Sequence, residues 1–334
     1  MERPDLTDVD ETIVAYIEYL EAELADLASE GGRSAAPIEP SEPETTINVV
    51  TLSQGGRIKR TPRHFYSRQR RGGMGIFEID LPEDDAPLNV VLADVNDEVI
   101  VISSFARVFH LPLSKIPETE VRAKGVPITN LVNLHANETV ATILAGDGGS
   151  RIASLTPRGY VFTSNKPSAR DGDFLYNTHN QGGPIACCWT SGDDDIFIAT
   201  KQGQAIRFDE RQVPKGGCLG IRLDTGDELL GITATNDEGG VFLLSYDGKG
   251  TVRLMEGFRK NKAPGAGGKV AMKTDNLVAA VAVEDADDIF IISQLGKMIR
   301  FSAEEVPAKT GVVQGVNCMS LRNDETAAVG IAKL

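Results

Sequence analysis

The chain of 334 residues contains no run of 18 apolar residues, so no segment reads as a membrane-spanning helix. Its first residues, MERPDLTDVDE, are acidic and polar where a secretion signal would be basic and then apolar. Cysteine is scarce. Cys187, Cys188, Cys218 and Cys318 form no CxxC pair, which argues against a zinc site or a disulfide framework and for reduced, small apolar residues of a cytoplasmic protein. The four histidines, His64, His110, His135 and His179, fall in no metal-ligand spacing. There is no GxSxG nucleophile elbow, and GAGGKV at 265–270 lacks the hydroxyl residue and wide glycine spacing of a phosphate loop. The expectation is therefore a protein without catalysis, cofactor or metal. Aromatic residues make up 6%, with one tryptophan, Trp189, expected in the core.

Glycine is plentiful, at 34 residues, and the sequence repeats. Six segments align: NVVTLSQGGRIKR (48–60), VIVISSFARVFHL (99–111), RIASLTPRGYVFT (151–163), IFIATKQGQAIRF (196–208), VFLLSYDGKGTVRL (241–254) and IFIISQLGKMIRF (289–301). Each is an apolar strand, a turn usually holding glycine, and a second strand. A shared apolar position falls at Ile58, Val108, Val161, Ile206, Val252 and Ile299. A glycine-rich turn into a further strand follows each: RRGGMGIF, RAKGVPI, NQGGPIA, GGCLGIRL, GAGGKVAM and TGVVQGVNCM. Four strands per repeat at intervals of 45 to 53 residues mean one propeller blade per repeat. The fold class is all-β, a six-bladed β-propeller, with blades at about 47–97, 98–148, 149–195, 196–240, 241–288 and 289–334. The repeated Trp-Asp of WD propellers is missing. A closed ring and an open spiral both fit six such blades. Acidic clusters precede several blades: NDE before Val99, DDD before Ile196 and EDADD before Ile289. Their recurrence at one place reads as polar turns between blades and not as calcium loops.

Ahead of the repeats lies a different segment. Residues 8–30 read as an N-terminal α-helix, opened by the capping pair Asp8 and Glu11 and stopped by Gly31 and Gly32. Ile13, Ile17, Leu20, Leu24 and Leu27 form a short coiled-coil seam, suited either to docking on the propeller or to pairing two copies into a homodimer. Residues 31–46 read as a flexible Pro/Ser/Glu linker. This arm, 1–46, holds 13 acids and two bases, so the repeats in 47–334 carry only −3 of the total charge of −14. Within them the bases are concentrated. Residues 45–77 contain Arg57, Lys59, Arg60, Arg63, Arg68, Arg70 and Arg71 and no acid. Residues 249–273 contain Lys249, Arg253, Arg259, Lys260, Lys262, Lys269 and Lys273 against Glu256 alone. Concentrated positive patches on a near-neutral body point to a polyanion partner.

The segment Gln69-Arg70-Arg71-Gly72-Gly73-Met74-Gly75, after GGRIKRTP in the first blade, resembles the gyrase-A box, Gln-Arg-Arg-Gly-Gly-Lys/Arg-Gly. The resemblance to the C-terminal domains of DNA gyrase A and topoisomerase IV A subunits covers roughly residues 47–334. It implies a β-pinwheel, whose blades exchange strands with their neighbours, and duplex DNA bent around the outer rim. Arg70 and Arg71 would pair with phosphate oxygens, and Gly72, Gly73 and Gly75 would let backbone amides approach them. Gln69 belongs to the box. Arg57, Lys59, Arg60, Arg63, Arg68, Lys249, Arg253 and Lys269 are expected to extend the path, with Arg122, Lys124 and Lys215 in weaker equivalents of the box. Three departures stand out. Met74 replaces a basic residue, a breakage-reunion domain with its tyrosine is expected to be lacking, and the acidic segment lies at the N-terminal side. The expectation is a non-catalytic, nucleoid-associated DNA-wrapping protein of the cytoplasm that assists the subunits of a type IIA topoisomerase. The alternative is a propeller that uses its rim or acidic arm for protein partners.

Overall fold

The computed structural model describes residues 42–333 apart from Asp147 and Ala169; the expected helix 8–30 and its dimer seam lie outside them. Among the described residues there is no α-helix, and no helix long and apolar enough to cross a membrane.

Each repeat builds the first three strands of one blade, and the order from the innermost strand outward is the same in all. In blade 1, Pro87–Asp94 pairs with Ile47–Ser53, which pairs with Arg57–Pro62. The outermost strand is Val126–Pro127, supplied by the second repeat. In the same way Cys218–Leu219 completes blade 3, Lys269–Val270 completes blade 4, and Ala308–Lys309 with Val316–Asn317 completes blade 5. Blade 2 has three strands, and its edge is met by an isolated bridge between Arg107 and Phe174 of the third repeat. The exchange ends where it began: Ile76–Phe77 of the first repeat pairs with Lys297–Ser302 of the sixth. The ring is therefore closed. Its innermost strands touch in sequence, from Pro87–Asp94 round to Thr326–Ala332 and back. They surround a cavity of about 910 Å³ lined mainly by Val, Ala, Leu and Thr. Trp189 borders it and donates its indole N–H to the Ala145 carbonyl at 2.6 Å.

A local rule sets every hairpin. The residue that opens the turn is Ser53, Ser103, Thr156, Thr200, Ser245 or Ser293, and its carbonyl accepts from the residue three positions on. That residue has positive φ: Gly56, Ala106, Gly159, Gly203, Gly248 and Gly296. In five of the six turns the opening hydroxyl also accepts the next amide, as from Arg57 to Ser53 at 3.0 Å, which competes with any continuation of the strand.

Counted from these turns, the equivalents of Ile58, Val108 and Val161 are Ala205, Gly250 and Met298. They are not Ile206, Val252 and Ile299, as the apolar pattern proposed. The slip has a physical cause. Both faces of these strands are buried, because six apolar clusters fill the six seams between blades. Val50, Leu52 and Ile58 meet Val99, Val101 and Phe109 in one seam, while Val49 of the same strand meets Phe290 and Ile292 in the other. A strand that is apolar on both faces does not announce its register by alternation.

The seam between blades 6 and 1, where the ring closes, is also polar. Lys59 Nζ, fully buried, lies 3.2 Å from Glu78 Oε2 and donates to the Glu78 carbonyl at 2.6 Å and the Glu120 carbonyl at 3.0 Å. Thr51 and the Tyr66 hydroxyl donate to the same carboxylate. Burial pushes the Glu78 carboxyl above its ordinary range in spite of these partners, and burial likewise lowers the Lys59 ammonium.

Candidate nucleic-acid interface

Two positions twelve residues apart recur in the first and second strands of every blade. They hold Asn48 and Arg60, Glu98 and His110, Arg151 and Thr163, Asp195 and Arg207, Gly240 and Val252, and Asp288 and Arg300. Five of the pairs are hydrogen-bonded across the strands. In blade 5 the pair is apolar, and a Cβ on Gly240 would come within 2.7 Å of Val252. Where the second residue is Arg or His, it also reaches the incoming chain of the next repeat. Arg60 donates to Ile116 O at 2.7 Å, Arg207 to Met255 O at 3.0 Å and Arg300 to Tyr66 O at 3.0 Å, and His110 Nε2 lies 2.9 Å from Ser168 O. These side chains staple four of the six crossing segments to their host blades.

That geometry redistributes the bases expected to meet a polyanion. Lys59 and Arg60 are buried and engaged within the protein, so neither is a free base on the surface. Arg253 is buried and donates to Gly257 O at 3.1 Å. Asp195 and Asp288, the last acids of two clusters expected to be polar turns between blades, are buried partners of Arg207 and Arg300. Charge counted along the sequence does not separate these inward positions from outward ones, because strand side chains alternate.

The box itself lies across the ring closure. Gln69 N donates to Arg300 O at 2.7 Å, Gly72 N to Cys318 O at 2.7 Å, and Ser320 N to Gly73 O at 2.9 Å. The Gly72 amide is thus occupied within the protein and does not face outward, contrary to the expectation that it would bind phosphate. Gly75 has φ +71°, and a Cβ there would overlap the Met298 carbonyl oxygen, so glycine is required by the closure. Arg70 is exposed, with no ion pair or hydrogen bond among the described residues. Arg71, expected to pair with phosphate oxygens, is half-buried and donates to Asn317 O at 2.9 Å. Met74 is 47% exposed. Arg57 donates to Gly125 O at 3.1 Å, Arg63 pairs with Glu42 at 3.0 Å and Arg68 with Asp288 at 2.7 Å. Lys249 is paired with Asp247 at 2.5 Å, and Lys269 is exposed and donates to Arg259 O at 3.0 Å.

What emerges is a rim. The segments that cross to the neighbouring blade and form or approach its outer edge are 66–77, 116–127, 166–185, 213–219, 258–270 and 306–317. Together they hold 13 Lys or Arg and four Asp or Glu, a net +9, against −3 for 47–334 as a whole. Every crossing segment carries at least one base. Arg122, Lys215, Arg259 and Lys309 are exposed on four of them; Lys309 is not among the bases singled out from the sequence, being a single base that follows Glu304 and Glu305.

A family model described as DNA gyrase C-terminal domain, beta-propeller, matches residues 48–86, 97–146, 194–236 and 287–328, more than half of the chain. The chain belongs to that family. It is 29% identical over 313 residues to the DNA gyrase A subunit of Staphylococcus aureus, covering 88% of this chain and 35% of the relative. It is 28% identical over 302 residues to the DNA gyrase A subunit of Metamycoplasma arthritidis, covering 86% and 34%. The chain thus spans about a third of the length of these relatives. Among solved structures, a DNA gyrase A C-terminal domain superposes with a TM-score of 0.76 at 22% identity, covering 86% of this chain and 100% of that one. The C-terminal domain of a DNA topoisomerase IV follows at 0.59 and 17% identity, covering 86% and 93%. These structural likenesses bear out the propeller fold.

No disulfide joins the four cysteines. Burial pushes the Cys187 and Cys318 thiols up to about 12, which keeps them from acting as nucleophiles. Among the described residues no cluster of His, Cys, Asp or Glu is arranged to hold a metal ion.

Proposed function

We propose that the ring binds duplex DNA along its outer edge and bends it, without catalysis of its own, and that it does so in concert with the subunits of a type IIA topoisomerase. The observation that carries this reading is the net +9 on the crossing segments of a chain whose total is −14. Bases spread over successive crossing segments suit the phosphate backbone and leave base edges unread. The family supports the polyanion being DNA, and the relatives, which are DNA gyrase A subunits, support the topoisomerase association.

The test is the salt dependence of binding to mixed-sequence duplex. With one phosphate neutralised per blade, the slope of log affinity against log salt should be about −5. A closed circular plasmid relaxed by a nicking-closing enzyme in the presence of the protein should keep a linking-number change. A slope near zero together with unchanged topology would rule the reading out and leave a protein-binding rim. The arm adds a second expectation. Removing residues 1–41 should tighten duplex binding at low salt and less so at high salt, since a tethered polyanion competes for the rim and salt screens it. Equal affinity of the two forms at low salt would show that the arm is no competitor.

A further inference from the structure

Glu42, in the segment where acids outnumber bases 13 to two, does not hang free. Its Oε1 accepts from Arg63 Nε at 3.0 Å and its Oε2 from Arg300 Nη2 at 2.9 Å. The two guanidinium groups hold its carboxyl below the usual carboxylate range, against the opposing effect of burial. The receiving site is built into the closure. Arg300 is buried, with Nε on Asp288 at 2.8 Å and Nη1 on Tyr66 O at 3.0 Å, so Nη2 is the edge left for Glu42. Arg68 takes the other Asp288 oxygen at 2.7 Å. Arg300 and Arg68 therefore share one internal acid, Asp288, and the carboxylate of Glu42 bridges Arg300 to a third arginine, Arg63. The Arg300 carbonyl accepts from Gln69, so the site abuts the box.

We infer that Arg63 and Arg300 form a phosphate subsite at the start of the DNA path, which Glu42 fills until DNA displaces it. The inference rests on the DNA-binding reading above. Two oxygens bridging two guanidinium groups are what a phosphodiester presents as readily as a carboxylate does. The ring also contains a comparison. Arg207 in blade 4 is met through its Nη2 by Asp237, but among the described residues no second base shares that acid. Asp237 therefore serves as a cap within the fold, and its removal opens no paired site.

Duplex titrations on the full chain decide between the two roles. Glu42→Gln should bind roughly tenfold more tightly at low salt, the worth of one freed charge-assisted contact. Its salt slope should steepen by about one to two, for one or two added phosphates. In the Glu42→Gln background, Arg63→Ala should erase the gain, because it removes one of the two guanidinium groups that hold the phosphate. Asp237→Asn should leave affinity and slope unaltered. Thermal melts of each variant establish that the ring is intact. If Glu42→Gln matches the natural chain in affinity and slope, Glu42 is a structural cap like Asp237 and the inference is overturned. If Glu42→Gln gains binding of inorganic tripolyphosphate by calorimetry with no gain for duplex, the subsite belongs to a free polyphosphate and the DNA assignment falls. Failure of the natural chain and every variant to bind duplex would instead remove the DNA-binding reading, and this inference with it.

Discussion

Alanine at both Arg70 and Arg71 should abolish most of the linking-number change that the protein leaves in a relaxed plasmid, while weakening duplex binding far less. The asymmetry follows from mechanics. Affinity sums contacts along the whole rim, so two of several are lost and the salt slope drops by at most about two. A bend persists only while contacts at both ends of the path offset its elastic cost, on the order of 1–6 kcal/mol for a short site. The variants are not equivalent. Arg70 has no partner among the described residues, so Arg70→Ala leaves the ring as it is. Arg71→Ala also removes the hydrogen bond to Asn317 O, a loss of about 1 kcal/mol at the closure. Met74→Lys should act in the opposite direction, since the position is exposed and the added ammonium stays in solvent. The expected order in topology assays is double alanine lowest, natural chain intermediate, Met74→Lys highest. If the double variant changes linking number as the natural chain does, the box has no part in bending.

Replacing Lys59 by methionine should lower the stability of the ring by about 3–5 kcal/mol, because it leaves the carboxylate of Glu78 buried without its cation. The pH dependence identifies the cause. Burial already raises Glu78 above its ordinary value, and without Lys59 the folded value rises further. A group with a raised folded pKa favours the fold below its unfolded value and loses that contribution as pH rises through the folded one. Urea unfolding of Lys59→Met should therefore show a deficit that is larger at pH 8 than at pH 5. Adding Glu78→Gln should recover much of the loss and flatten the pH profile. An equal deficit at both pH values would mean that Lys59 matters for packing alone.

The period, the number of blades and the box could be read from the sequence because each is written locally, in turns of Ser or Thr followed by glycine and in Gln69 to Gly75. Register was not fully legible. Ile206, Val252 and Ile299 match the repeat by hydrophobicity, but burial on both faces removes the alternation that would have fixed them. The bases were legible as a concentration and not as a surface. Lys59, Arg60 and Arg253 lie in the same acid-poor stretches as Arg70, Arg259 and Lys269, yet they point into seams, and only the pairing of strands decides which way a residue faces. The two-residue outer strands, such as Ile76–Phe77, are too short to carry a pattern of their own, so their host blade is set by packing at long range.

Closure by exchange has a consequence for how such a ring can change size. No blade with a complete edge is made by its own repeat, so a shortened chain does not end in a finished surface. Without the sixth repeat, Ile76–Phe77 would lose its host and blade 5 would lose Ala308–Lys309 and Val316–Asn317. One end of the molecule would then offer a donor arm and the other a vacant acceptor edge, each related to the other by the repeat. That is a head-to-tail contact, and where the rotation no longer closes on itself it propagates into an open filament. The exchange that closes the ring thus also penalises loss of a blade by polymerisation, which ties the survival of the fold to the full set of six repeats.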